Sequence, residues 1–162
     1  MTVYLNPSYY KGPKLERSLV RAKDSQTWQA GTPMRRSDSG VVTCKSNASS
    51  FQGLAAATQS ASTSSSDVYV DWIPSENTQL KIYVTNAGAD TRALTSYIGG
   101  NQGLAVNSCV GTLSTGNDST EILNVKDLLV NVEGFKNDTG DLPGAVICSV
   151  VASALTTEGT GQ

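Results

Sequence analysis

Residues 68–86 read VYVDWIPSENTQLKIYVTN and contain two stretches in which side chains alternate between two faces of an extended chain. In the first stretch, every second residue from Val68 to Trp72 is apolar, and in the second the same holds from Leu80 to Val84. A period of two residues is that of a β-strand, which places alternate side chains on opposite faces. Pro74 ends the first stretch because proline has no N–H to give to a sheet. This part of the chain therefore predicts two short β-strands.

Short segments of the same kind, separated by turn residues, continue on both sides. Apolar stripes at helical spacing are missing, except that Leu94, Tyr97 and Ile98 predict one short helical turn before two glycines. The predicted fold class is all-β: a small β-barrel or sandwich of short antiparallel strands with an extended N-terminal arm. The other predicted strands are residues 19–23, 27–29, 34–36, 41–45, 104–106, 109–113, 121–125, 128–133 and 145–154. Residues 51–57 are predicted to be a buried run, in which Gly53 indicates a bulge or a close backbone approach.

The length and composition predict one folded unit. The chain has 162 residues, of which 37 are Ser or Thr and only 16% are charged, so turns and strands are favoured over helices. We expect residues 1–17 to form the arm and residues 18–162 a single β domain whose last residues, 156–162, are disordered. Residues 58–67, TQSASTSSSD, are a low-complexity loop within that domain.

The predicted arm combines features of a tail with features of an interface. Pro7 and Pro13 exclude a regular helix, yet the segment is too apolar for a solvated tail. Two alternatives follow: the arm docks on another molecule, or it packs back on its own domain as an extra strand. The candidate partner-binding residues of this region are Val3, Tyr4, Leu5, Tyr9 and Tyr10, with the cations Lys11, Lys14, Arg17 and Arg21.

Charge is unevenly distributed along the chain. Residues 1–45 hold eight basic and three acidic side chains, a net of +5, whereas residues 46–162 hold four basic and eleven acidic ones, a net of −7. One interpretation is that the basic residues 1–45 contact an acidic partner or the acidic residues 46–162 of a neighbouring copy. The other is that the split arose by chance. The overall net charge of −2 predicts neither a nucleic-acid nor a membrane partner.

The cysteines predict a reducing compartment. Cys44, Cys109 and Cys148 are odd in number, widely spaced and set in apolar strand-like runs, which is typical of buried free thiols. The first residues lack the apolar core of a signal peptide. We therefore expect synthesis in a cytoplasm and a soluble product.

No set of residues for catalysis can be assembled from the sequence. The chain has no histidine, which removes the Ser-His-Asp and Cys-His systems and the usual catalytic zinc sites. Residues 137–141, NDTGD, lack the remaining ligands of a calcium loop and predict a turn. We expect Trp28 and Trp72 to pack in the core; the alternative is that their rings stack on a bound sugar. The remaining route is a pair of carboxylates, as in glycosidases, with candidates Asp67, Asp71, Glu76, Glu121 and Glu133. We expect no enzyme, no cofactor and no metal.

Residues 27–57, TWQAGTPMRRSDSGVVTCKSNASSFQGLAAA, resemble the decoration (cement) proteins of tailed-bacteriophage heads. Family-like features continue to about residue 125, with YVDWIPSENTQLKIYV followed by YIGGNQGLAVN. The long Tyr-rich arm and the loop at residues 58–67 depart from the family pattern. The residues that carry the likeness are Ala30, Gly31, Pro33, Gly40, Val41, Val42, Phe51, Gly53, Leu54 and Ala55, then Tyr97, Ile98, Gly99, Gly103 and Leu104.

The resemblance implies a structural protein of the virion that is made in the host cytoplasm and binds the outer surface of an assembled head. It also implies a homotrimer whose partner is the major capsid protein and which staples neighbouring capsid subunits. The alternative is a phage head-fibre or carbohydrate-binding β module.

Overall fold

A computed structural model describes residues 6–64, 66–85, 95–107, 109–114, 120–129 and 144–156. Within these residues the chain forms eleven β-strands, a 3₁₀ turn and a short helix, which confirms the predicted all-β class. The strands are β1 (Ser8–Lys11), β2 (Glu16–Arg21), β3 (Pro33–Ser37), β4 (Gly40–Thr43), β5 (Gly53–Ala55), β6 (Asp67–Trp72), β7 (Gln79–Thr85), β8 (Asn101–Asn107), β9 (Val110–Ser114), β10 (Leu123–Leu128) and β11 (Ala145–Val150); the 3₁₀ turn is Thr95–Tyr97 and helix α1 is Ala152–Thr156.

Five strands close into a barrel in the order β7, β11, β10, β8, β9. The closing contact is parallel and pairs Val84 of β7 with Leu113 of β9. Strand β1 pairs antiparallel with the beginning of β7, where Tyr9 lies opposite Leu80. Alternation along each strand then sends every second side chain into the barrel. The buried interior includes Leu80, Ile82, Val84, Leu104, Leu113, Leu123, Val125, Val146, Cys148 and Val150.

The second sheet has five strands in the order β2, β6, β5, β3, β4. It curls, because a parallel bridge between Ala22 and Val41 brings the end of β2 to β4. Gly40 permits this approach: its φ is 121°, and a Cβ there would lie 2.8 Å from the carbonyl oxygen of Arg21. The concave face encloses its own apolar cluster of Ala22, Trp28, Met34, Val41, Ala55, Val70 and Trp72.

The second sheet packs its other face on the barrel. Phe51, which precedes β5, and Leu54, in the middle of β5, belong to the buried cluster of the barrel. At Gly111 on β9, an added side chain would collide with the ring of Pro33 on β3, so only glycine fits where the two sheets touch. Asn6 ties the same region together through its side chain, which hydrogen-bonds to Ala30, Cys109 and Gly111.

Several predicted elements match and others need correction. The helical turn expected at residues 94–98 is the 3₁₀ turn Thr95–Tyr97. The strand expected at residues 145–154 ends at Val150, because the chain turns into α1 and buries Ala154 in the barrel cluster. Residues 27–29 form only an isolated bridge at Trp28. The expected disordered tail lies outside the described residues, apart from Thr156 in α1.

Among the described residues, no helix is long and apolar enough to cross a bilayer. The three cysteines are free thiols: Cys44 and Cys148 are buried, as predicted, whereas Cys109 is only partly buried.

Candidate interaction surface

The structure distributes the predicted partner-binding residues over two strands. Val3, Tyr4 and Leu5 lie outside the described residues. The segment predicted as an arm contributes β1 and the first two residues of β2, so residues 6–17 lie against the body, as in the second alternative. Tyr9, Tyr10 and Lys11 are on β1, Lys14 is in the following loop, and Arg17 and Arg21 are on β2.

The tyrosines of β1 differ in exposure. Tyr9 keeps 38% of its surface exposed, and its hydroxyl donates a hydrogen bond to the Gly12 carbonyl at 2.6 Å. Tyr10 is half-buried and packs against Leu129, Ala145 and Ile147. Of the two, Tyr9 is the better placed to contact a partner.

The outer face of β2 and β6 presents a row of cross-strand pairs. In register, Arg17 lies opposite Asp71, Leu19 opposite Tyr69, and Arg21 opposite Asp67. We call these six residues the β2–β6 ladder. Because Val20 and Val70 turn to the concave face, alternation sends the ladder outward. Leu19 and Tyr69 are 54% and 55% exposed, so two large apolar side chains lie side by side between charged pairs.

The Arg17–Asp71 pair fixes one end of the ladder. Arg17 donates from Nε to Asp71 Oδ1 at 2.8 Å and from Nη2 to Oδ2 at 3.1 Å. This hydrogen bonding, with the charge of Asp71, raises the pKa of Arg17 above its ordinary value. Exposed pairs of this kind add little stability, so its main effect is to hold the guanidinium in one orientation.

A groove of about 430 Å³ continues from the ladder towards β1. Asp71 belongs to the ladder and also lines the groove, which Tyr9 and Leu15 line as well. Three of the four exposed large apolar side chains in the described part of the chain, Tyr9, Leu19 and Tyr69, therefore border one surface; the fourth is Ile98.

Sequence reasoning missed Leu19 and Tyr69 as candidates. The alternation of VYVDW places Tyr69 on the face opposite Val68, Val70 and Trp72. This alternation predicts that Tyr69 faces outward. Nothing in the local sequence indicates that Leu19 is its cross-strand partner.

A second depression, of about 440 Å³, lies elsewhere on the barrel and is lined mainly by polar groups. Within it, Asn124 donates a hydrogen bond to Asn101 at 2.8 Å. Its polar lining residues are Glu76, Asn77, Asn101, Asn124, Lys126 and Ser149. Trp28 and Trp72 are in the core, as predicted, and their indole N–H groups donate hydrogen bonds to the Ala57 carbonyl and the Ser18 hydroxyl.

The described residues bring together no group of three or more His, Cys, Asp or Glu that could hold a metal ion. Of the candidate catalytic carboxylates, Asp67 and Asp71 are in the ladder, where Asp71 is paired with Arg17. Glu76 lines the polar depression. Glu133 and the predicted turn at residues 137–141 lie outside the described residues.

The surface that the fold builds is thus an exposed sheet face and its adjoining groove. No protein-family model, no curated protein and no solved structure matches this chain.

Proposed function

We propose that this chain is a structural decoration (cement) protein that binds the outside of an assembled phage head and staples neighbouring major capsid subunits. The observation that supports this best is the β2–β6 ladder, where Leu19 and Tyr69 lie side by side and more than half exposed. Large apolar side chains ringed by charges are the usual composition of a protein–protein contact.

A binding surface on an ordered β-sheet is suited to a structural protein that links capsid subunits. The backbone of β2 is paired along its whole length with β6, so little order has to be gained on binding. Six residues can bury only a small area in each copy. A homotrimer that engages several capsid subunits at once would gain affinity through multivalency rather than through one tight contact.

The proposal includes the location and partners expected from the resemblance. The protein is then a virion component on the outer capsid surface, its partners are the major capsid protein and its own copies, and it needs no cofactor, nucleic acid or membrane. It carries out no catalysis.

A second candidate, a head-fibre or carbohydrate-binding module, is favoured by the polar depression. Side-chain amides such as those of Asn77, Asn101 and Asn124 can both donate to and accept from sugar hydroxyls. The depression has no aromatic residue in its lining, so the stacking surface on which many sugar sites depend is missing there.

Co-sedimentation tests the two candidates. Heads of the phage that encodes the chain, stripped of it, are mixed with purified protein and pelleted. We expect binding at a fixed ratio to the major capsid protein, a large loss in Leu19→Ser/Tyr69→Ser, and wild-type binding in the matched control Ile98→Ser. Failure to bind heads, together with glycan-array binding that Asn124→Ala abolishes, would instead support the carbohydrate module.

A further inference from the structure

The curled second sheet leaves a gap between its two end strands, β2 and β4. Strand β2 pairs along its length with β6 and reaches β4 only at the bridge between Ala22 and Val41, where the N–H of Lys23 donates to the Val41 carbonyl at 3.0 Å. A cavity of about 230 Å³ lies beside this bridge. We call it the seam pocket; two arginines and three apolar residues line it, Arg21, Arg36, Val20, Val41 and Trp72.

One arginine of the seam pocket is held against an aromatic ring. The Cζ atom of Arg36 lies 3.9 Å from the centroid of the Trp72 ring, which is a cation–π contact. Trp72 is only 8% exposed, and its Nε1–H donates to the Ser18 hydroxyl at 2.6 Å. The ring occupies one face of the guanidinium and leaves the N–H donors at its edge free. Arg36 is therefore oriented before any ligand arrives.

Both guanidinium groups of the seam pocket are available to a ligand. Within the part of the chain that the structure describes, neither Arg21 nor Arg36 makes a side-chain hydrogen bond or an ion pair, although Arg21 lies opposite Asp67 in the register of β2 and β6. None of the described residues that line the pocket is acidic. Two cations without counter-charges at one cavity favour an anionic ligand.

The pocket also offers apolar surface. Val41 and Trp72 are buried in the apolar cluster of the second sheet, and Val20 packs against that cluster, whereas Arg21 and Arg36 are exposed. The buried residues therefore form the floor and the arginines the mouth. A cavity of about 230 Å³ has room for several water molecules, since each takes about 30 Å³ in the liquid. A short aliphatic stem fits beneath a charged head group.

We propose that the seam pocket binds a carboxylate carried on a short aliphatic stem. The carboxylate accepts charge-assisted hydrogen bonds from Arg21 and Arg36, and the stem leaves water to lie against Val20, Val41 and Trp72. Such a group has two sources, an acidic side chain of another protein or a free small carboxylic acid. The site rests on its own geometry and does not depend on the proposed attachment to phage heads.

Nitrogen-15 NMR titrations in low-salt buffer test the class of ligand. Butyrate is the probe because it joins a carboxylate to an aliphatic stem; butyramide has the same stem without the charge, and inorganic phosphate has charge without the stem. We expect butyrate to shift the Arg36 Nε–H and Trp72 Nε1–H signals in a saturable way and to bind more tightly than phosphate, whereas butyramide has no effect. The signals are assigned by their loss in Arg36→Gln and Trp72→Phe.

A pair of variants with the same loss of charge tests the residue that carries the site. Arg36→Gln should weaken butyrate binding by at least about tenfold, as read from the Trp72 signal, because a hydrogen bond to a charged group is lost. Lys45→Gln removes an exposed cation that does not line the pocket and should leave the Kd nearly unchanged. Equal weakening in the two variants would overturn the site in favour of a general effect of charge.

The blocked tripeptide acetyl-Gly-Glu-Gly-amide distinguishes the two sources. If it binds at least as tightly as butyrate, the ligand is an acidic side chain of a protein; if it binds less tightly than butyrate or not at all, the ligand is a free acid. The proposal is overturned if butyrate does not bind, if butyramide shifts the same signals as strongly, or if phosphate binds as tightly as butyrate. Butyrate binding by a chain that does not bind heads would refute the proposed function and leave the seam pocket intact.

Discussion

Asn6 is hydrogen-bonded to the loop before β3 and to the first part of β9 and the residue before it. Its Nδ2 donates to the carbonyls of Ala30 at 3.2 Å and Cys109 at 3.1 Å, and its Oδ1 accepts from the buried N–H of Gly111 at 2.8 Å. We expect Asn6→Ala to lower the free energy of unfolding by about 1–3 kcal/mol, because the Gly111 N–H is left without an acceptor.

Urea denaturation measures this loss, and Asn124→Ala is the control. Asn124 makes an exposed hydrogen bond to Asn101, so its removal should change the stability by no more than about 0.5 kcal/mol. Equal losses in the two variants would show that Asn6 does not join the sheets.

The cysteines should differ in reactivity. Burial raises the pKa of both Cys44 and Cys148 to about 12, so their reactive thiolate forms are rare at neutral pH. Cys109 is only partly buried. We expect a thiol reagent to modify Cys109 alone in the native protein and all three cysteines in unreduced denaturant. Modification of Cys44 or Cys148 at the rate of Cys109 would contradict the burial.

The same burial predicts a loss of stability in alkali. The pKa of Cys148 rises from 9.0 in the unfolded chain to about 12 in the folded one, so the folded protein keeps a proton that the unfolded chain releases. This contribution is complete below pH 9 and is lost as the pH rises towards 12, at about 1.4 kcal/mol per pH unit. Cys148→Ala should flatten the dependence of the unfolding free energy on pH by that amount.

At the scale of the element, the strands are predictable because alternation is a local property of the sequence. Strands β6 and β7 follow directly from VYVDWIP and QLKIYVT. The partners of each strand are not local: β1 pairs with β7 about seventy residues later, and the barrel closes through a parallel contact between Val84 and Leu113. The apolar character of residues 1–17 left open whether the segment docks on a partner or packs as an extra strand; residues 8–11 pair with β7 as an extra strand, on a surface that exists only once the barrel has formed.

Deletions in the N-terminal segment separate its structural part from its proposed binding part. Removing residues 1–17 takes away β1, the Asn6 hydrogen bonds and the Arg17–Asp71 pair, so we expect the melting temperature to fall by many degrees. Removing residues 1–5 leaves all of these in place.

The shorter deletion should therefore keep the β-sheet content of the wild type, as measured by circular dichroism. On the proposal that Val3, Tyr4 and Leu5 contact the capsid, it should also pellet with heads less well than the full chain. Unchanged head binding after the shorter deletion would confine the attachment surface to the ladder and its groove.

At the scale of the whole molecule, the charge split remains a property of the sequence: residues 1–45 have a net charge of +5 and residues 46–162 a net charge of −7. A head-to-tail contact between the basic N-terminal part of one copy and the acidic remainder of the next would satisfy this asymmetry. Such a contact repeats around a ring if the rotation closes.

Together with the trimer that the resemblance implies, this charge split leads us to expect a homotrimer whose stability depends on salt. At about 0.1 M salt the screening length is about 10 Å and the opposite charges still attract, whereas at about 1 M it is about 3 Å and the attraction is lost. Sedimentation velocity should detect the trimer in the first condition and monomer in the second. A trimer that persists at high salt and is lost in Leu19→Ser/Tyr69→Ser would mean that apolar burial on the ladder holds the copies together, and monomer in both conditions would refute self-association of the free protein. In the former case the ladder is occupied before the protein reaches the head, and attachment must then use the groove beside Tyr9.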